Sequence, residues 1–320
     1  MTRGTRVDDL IRAVAHPRPT AGSLPTMTVP SSDQALPDGV RVTKGRGGLP
    51  VVQIDVPACT GEVYLHGAHV TSWQPLGTEV LWVSDAAAFR AGKAIRGGVP
   101  ICFPWFADGP DGSATPAHGF ARTTEWGLVG ATTDGRWVEV ILALTDTAQT
   151  RALWPHPFAC DYRVRMGENE LALLLTVTNT GDEPFTFEEA LHTYFGVCDI
   201  HTVEVDGLAG SSYLDMVPGA DRGPHVLDGP ITFAGEVDRT FQGTGATAVI
   251  RDGDRSVTIA RDGSDSAIVW NPWIDKAAAM GDFGDDEWTR MVCVETANAK
   301  ADQVTLAPGA AHTMAAYISV

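Results

Sequence analysis

In residues 171–184, LALLLTVTNTGDEP, apolar side chains recur at every second position: Leu171, Leu173, Leu175 and Val177. The run then breaks into Asn179, Gly181, Asp182 and Pro184, a turn composition. A period of two puts alternate side chains on opposite faces of a pleated strand, so this is a strand with one apolar face. The same pattern lies upstream in Val138, Val140, Leu142 and Leu144, and again in Val52, Ile54 and Val56. ATTDGR (131–136), MGEN (166–169) and RDGDR (251–255) supply turns around such runs. No helical periodicity separates the strands, which excludes a βαβ order, and no repeat of fixed period points to a propeller or solenoid. The chain is therefore expected to be all-β, a large antiparallel β-sandwich.

Composition bounds the rest. The chain has 320 residues, 44% hydrophobic and 20% charged, the profile of a globular protein. A large sandwich can hold residues 38–320 as a single domain. Residues 1–37 differ: Val7, Leu10, Ile11 and Val14 fit a short amphipathic helix, and the Pro- and Ser-rich stretch after it reads as a linker. No apolar run is long enough to span a membrane, and the N-terminus lacks the apolar core of a secretory signal. Cys59, Cys102, Cys160, Cys198 and Cys293 are scattered and odd in number, without C-x-x-C spacing. That pattern argues for reduced thiols in a cytoplasmic protein, not for a disulfide framework or a zinc site. The formal net charge of −17 argues against nucleic acid and anionic membranes as partners. It also means that any anionic ligand needs specific cationic side chains to hold it.

Five stretches are rich in residues able to do chemistry. KAIRGGVPICFPWFADG (93–109) sets Arg96 before Gly97 and Gly98, with Pro100 and Pro104 stiffening the chain beyond them. A rigid loop holding a guanidinium suits an oxyanion; a strand crossover carrying a surface arginine has the same pattern. PAHGFARTTEW (116–126) brings His118 and Arg122 together, as a sugar-hydroxyl contact and a second phosphate-binding fork, or as structural residues. PFTFEEALHTYFGV (184–197), read as one strand, puts Phe185, Phe187, Leu191 and Phe195 on a core face and Thr186, Glu188, Ala190, His192 and Tyr194 on the other, either a face that reaches a ligand or one that meets only solvent. RMVCVETANAK (290–300) carries Glu295 behind an apolar run, where burial would raise its pKa and make it a better base; a strand-end glutamate in water is the alternative. SAIVWNPWIDKAAAM (266–280) supplies Trp270 and Trp273, either platforms for a pyranose ring or core residues, and Lys276, either part of the site or solvated.

In their order and rough spacing, these motifs resemble the aldose 1-epimerase superfamily, most closely its glucose-6-phosphate 1-epimerase branch, also called D-hexose-6-phosphate mutarotase. The resemblance rests on IRGGVPICFPWF, HGFAR followed by Trp126, LHTYF, VWNPW with IDK, and VCVE, and it covers residues from about 50 to 320. It implies an antiparallel β-sandwich with the site on its concave face. It implies that His192 is the acid and Glu295 the base, that Arg96 and Arg122 contact phosphate, and that Asp215, in SSYLDM, binds sugar hydroxyls. Some members carry Gln before the histidine of HGFAR; this chain has Ala117 there, which shifts weight onto His118. The implied reaction is interconversion of α and β anomers of a hexose 6-phosphate, most simply glucose 6-phosphate, with no metal or organic cofactor. No P-loop or dinucleotide fingerprint is present. The implied partner is a small sugar phosphate, and the implied assembly a monomer or weak homo-oligomer. A mutarotase of unphosphorylated sugars and a non-catalytic carbohydrate-binding sandwich are the competing readings.

Overall fold

A computed structural model describes residues 36–320. The expected helix and most of the expected linker within residues 1–37 lie outside the described residues. Almost all regular structure is antiparallel strand, in two eight-stranded sheets, one four-stranded sheet and a two-stranded pair. The all-β expectation is met.

The strands read first from the sequence form the backbone of one large sheet. Glu170–Asn179 lies between Ala311–Ser319 and Phe158–Gly167, and Trp137–Thr145 follows on the outer side of the latter. Val140, Val164 and Leu173 stand in one cross-strand row and are fully buried, as are Leu142, Tyr162 and Leu175 beside them. Burial of each such side chain is worth about 1.5–3 kcal/mol, and this is what locks the register. Pro50–Val56 departs from strict alternation. Val52 and Ile54 join the main core, while Val51 faces a second small cluster with Tyr64, Ile95 and Ala87. That second cluster lies directly before Arg96 in the chain and anchors the loop that carries it.

The other eight-stranded sheet carries the chemistry. From one edge inward it runs His225–Val226, Ser212–Asp215, Val237–Gln242, Ser266–Asn271, Met291–Asn298, Glu189–Leu191 and Ile101–Cys102, with Tyr194–Gly196 also paired to Met291–Asn298. Its two central strands are buried along their whole length. An unbroken apolar run such as MVCV therefore marks a strand covered on both faces, not an alternating one. Residues 184–197 are not the single strand expected from their pattern. Phe185–Phe187 pairs with Val304–Leu306, Glu189–Leu191 joins the large sheet, and Tyr194–Gly196 pairs separately with Met291–Cys293. The breaks fall at Glu188 and at His192–Thr193, because those backbone amides bond elsewhere: Glu188 N–H to the Pro104 carbonyl and His192 N–H to the Pro100 carbonyl. Ala190 and Leu191 are both fully buried, so the predicted division into core and ligand faces does not hold there.

Candidate active site

Arg96, His118, Arg122 and His192 stand on loops and strand breaks, while Asp238, Trp270 and Glu295 project from paired strands. Arg96 leaves the small cluster at Ile95, and the chain then turns through Gly97 and Gly98 with φ of 107° and 60°. A β-carbon on Gly98 would stand 2.2 Å from the Val70 carbonyl oxygen, so no side chain fits this turn. Buried His69 donates from Nε2 to the Gly97 carbonyl at 2.7 Å and fastens it. The Arg96 guanidinium presents Nε and Nη2 to Asp282 at 3.2 Å and Nη1 to the Tyr194 hydroxyl at 3.0 Å. Nη2 also reaches Asp282 Oδ2 at 3.3 Å, so of the five N–H groups the one left over is on Nη1, a donor available to an anion.

His118 sits at φ 61°, fixed by its N–H bond to the Ala107 carbonyl at 2.6 Å. The Ala107 N–H points back at the His118 Nδ1 at 3.3 Å. An amide can only donate, so Nδ1 accepts and the ring proton lies on Nε2. Burial first, then the charge of Arg122, holds His118 neutral, well below its usual range. Arg122 donates from Nη2 to the Ala117 carbonyl at 2.7 Å, while its Nε is buried without a partner among the described residues. Position 117 thus contributes its backbone, where some family members place a glutamine side chain.

His192 and Glu295 meet at the floor of the site, His192 Nε2 standing 3.3 Å from Glu295 Oε1. The imidazole stacks on Tyr194 with centroids 4.9 Å apart and 12° between planes, and meets Trp270 edge-on at 6.0 Å. Glu295 lies opposite Ile268 in the sheet and is 1% exposed. Its Oε2 and the His192 Nδ1 have no hydrogen-bond partner among the described residues. Buried polar atoms are rarely left unpaired unless something else is to bind or react there. Burial first, then the positive charges of Arg122 and Arg96, pushes His192 down to about 3. Burial and the neighbouring Asp238 push the Glu295 carboxyl well up. Both shifts favour the uncharged forms of the pair, a carboxylic acid and a neutral imidazole.

His118, Arg122, His192, Asp238, Trp270 and Glu295 line one cavity of about 330 Å³, with Arg96 and Lys276 at its wall. Arg96, Ala117 and Arg122 also line a second chamber of about 450 Å³, which adds Arg90, Lys93 and Asp282. The two chambers meet at the arginines. The expected residues His192, Glu295, Arg96, His118, Arg122 and Trp270 are thus brought together. Asp215 is not among the residues lining either chamber. It lies opposite Arg239, and its Oδ1 accepts from the Val217 amide at 3.1 Å. The acid at the cavity is Asp238, one strand further in and opposite Trp270, with its pKa pushed up to about 6 by burial. Lys276 binds Glu236 at 2.7 Å and stands 3.8 Å from Asp238, so it is part of the wall, not a free surface lysine. His192, Cys293 and Glu295 converge closely enough to suggest metal ligands, within 4.8 Å. Burial holds the Cys293 thiol protonated, however, and Glu295 Oε1 already meets His192, so the donor set suits proton transfer better than metal binding.

The aldose 1-epimerase family pattern matches residues 50–318. The chain belongs to the aldose 1-epimerase family. A protein of Cenchrus ciliaris, provisionally named glucose-6-phosphate 1-epimerase, is 39% identical over 262 residues, 78% of this chain and 78% of that protein. A protein of Escherichia coli K12 with the same provisional name is 37% identical over 267 residues, 82% of this chain and 88% of that one. The crystal structure of a provisionally named mutarotase from Salmonella typhimurium matches with a TM-score of 0.81 and 33% identity, covering 89% of this chain and 95% of that one. The protein is an epimerase that interconverts hexose anomers. Among the described residues, no helix is long and apolar enough to cross a membrane.

Proposed function

We propose that this epimerase acts on a hexose 6-phosphate, glucose 6-phosphate first, with Glu295 as base and His192 as acid. Glu295 as carboxylate takes the proton from the C1 hydroxyl, and His192 as imidazolium gives one to the ring oxygen. The C1–ring oxygen bond breaks, its electron pair going to the oxygen, and the open aldehyde forms. Rotation about C1–C2 presents the other carbonyl face, and the steps reverse. The proton count supports the pairing. Ring opening moves one proton from His192 onto the sugar and one from the sugar onto Glu295, so the pair holds one proton before and after. Such positioned acid–base groups each contribute about 10²–10⁴-fold.

Trp270 offers an apolar wall to the ring, the His118 Nε2–H a donor and Asp238 an acceptor for sugar hydroxyls. The phosphate end extends to the meeting of the two chambers, where Arg96 keeps an Nη1 N–H to donate and Arg122 has no carboxylate partner among the described residues. That half-buried guanidinium without a carboxylate partner among the described residues, its Nε buried and unbonded, in a chain of net charge −17, is the observation that carries the phosphate assignment. The provisional names of the relatives agree with it. A phosphorylated substrate and reduced thiols, four of five of them buried, go with a cytoplasmic setting. The test is NMR exchange between anomers of glucose 6-phosphate beside free glucose and galactose. Faster turnover per enzyme of a free sugar than of the phosphate ester would overturn the assignment.

A further inference from the structure

If the substrate is a hexose phosphate, as proposed above, the position of the acid poses an electrostatic problem. His192 shares its cavity with Arg96, Arg122 and Lys276, and a proton on this buried ring would add another positive charge beside them. The charged and titratable groups around the pair come from every neighbouring element. Arg96 and His69 lie beside its entry loop, His118 and Arg122 on the following loop, and Tyr194 two residues on. Asp238 stands across the sheet, Lys276 on the helix Trp273–Ala279, and Cys293 on the strand of Glu295 itself. The negative charges are largely committed: Asp282 holds Arg96, while Glu236 and Asp238 face Lys276 at 2.7 and 3.8 Å. Arg122 makes no ion pair with a carboxylate among the described residues. Catalysis nevertheless requires the imidazolium–carboxylate form of the pair.

We propose that the phosphate of the substrate switches the acid–base pair on. By neutralising Arg96 and Arg122 it moves the pair's proton from Glu295 to the His192 Nε2. No bond to carbon changes in this step. One proton crosses the 3.3 Å between Glu295 Oε1 and His192 Nε2, and a neutral acid and neutral imidazole become carboxylate and imidazolium. Burial first, and then the Arg122 and Arg96 guanidiniums, depress protonation of His192; a dianion placed against the guanidiniums removes their share of that depression. The phosphate thus acts on the chemical step as well as on binding, so that a sugar lacking it finds the pair in the protonation state that results from ring opening.

Two measurements on the whole enzyme test this. The first is anomer exchange of free glucose at saturation, with and without inorganic phosphite, against glucose 6-phosphate. The switch requires kcat for glucose at least about tenfold below that for the phosphate ester, and a rise toward it on adding phosphite. Equal kcat values overturn the switch, as does phosphite that displaces glucose 6-phosphate yet leaves glucose exchange unchanged. The second is ¹⁵N NMR of histidine-labelled enzyme, with His192→Asn identifying the signal. His192 should be neutral alone near pH 7 and become imidazolium with phosphite; a ring that stays neutral with phosphite bound overturns the proposal. Glucose 6-phosphate separates the failures. If it is not turned over, the substrate reading falls; if it is turned over while phosphite is inert, only the switch falls.

Discussion

Glu295→Gln separates catalysis from stability more cleanly than any other change in the site. The amide has the shape of the carboxyl, its NH₂ can donate to His192 Nε2, and its carbonyl takes the position of the unpartnered oxygen. No cavity opens and no new charge is buried, so the folded protein should lose no more than about 1 kcal/mol near pH 6. Glutamine cannot take a proton from C1, and exchange should fall by about 10²–10⁴. The pH dependence comes from proton counting. In the folded wild type the Glu295 carboxyl is held protonated, with its pKa above the unfolded value, while His192 is held neutral. Above about pH 6.5 the unfolded chain binds a proton on neither group, so the folded state binds one more. Wild-type stability then declines by about 1.4 kcal/mol per pH unit until the folded carboxyl ionises, and the variant escapes this loss. Guanidinium melts of both proteins at pH 6.5, 7.5 and 8.5, with NMR exchange on glucose 6-phosphate, measure both effects. A stability gap that fails to widen in favour of the variant would show Glu295 already ionised in the fold. Exchange within a few-fold of wild type would remove it as the base.

Three further outcomes check the surrounding site. Arg122→Ala should raise KM for glucose 6-phosphate about 10–100-fold, the worth of a lost charge-assisted hydrogen bond, and raise KM for free glucose far less; equal losses on both sugars would argue against a phosphate contact. Asp238→Asn should weaken sugar binding at least about tenfold, whereas Asp215→Asn should leave exchange near wild type, since Asp238 lines the cavity and Asp215 caps a turn; steady-state kinetics on both decide which acid contacts sugar. Glu287→Ala should cost about 2–4 kcal/mol in a denaturant melt, because that carboxylate accepts from the Ser84 hydroxyl at 2.6 Å and from the Asp85 and Gly284 amides at 2.9 Å each, tying the loop of Asp282 to the chain before Arg96.

The parts of this molecule legible in its sequence are those in which one interaction dominates. Leu171 to Val177 alternate because one face meets the core, and that face is where the structure puts it. For Glu295 behind MVCV the local pattern allowed either burial or a strand end in water, and the structure buries it, in a strand covered on both faces. Residues 184–197 misled because alternation persists through the chain while the hydrogen bonds change partners. Pro100 and Pro104 draw off the amides of His192 and Glu188, and no local pattern records what a distant carbonyl accepts. Asp215 and Asp238 differ for a related reason. Both stand on short polar strands, and only the order of strands shows that Val237–Gln242, not Ser212–Asp215, lies next to Ser266–Asn271 and hence beside Trp270.

Ala117 shows how the loop keeps its role where a family side chain is absent. In the HGFAR motif the position before the histidine precedes a residue at positive φ, and Gly119 comes next at φ 74° with the Phe103 carbonyl 2.0 Å from where its β-carbon would be. This turn directs the Ala117 carbonyl onto Arg122, the 2.7 Å bond that helps aim the guanidinium. A side chain at position 117 could add a contact to substrate, but the backbone already performs the positioning. Restoring Gln at 117 should therefore lower KM for the sugar while leaving the arginine in place and kcat unchanged. A change in kcat would mean that residue 117 governs the proton of the pair as well, which its carbonyl geometry gives no reason to expect.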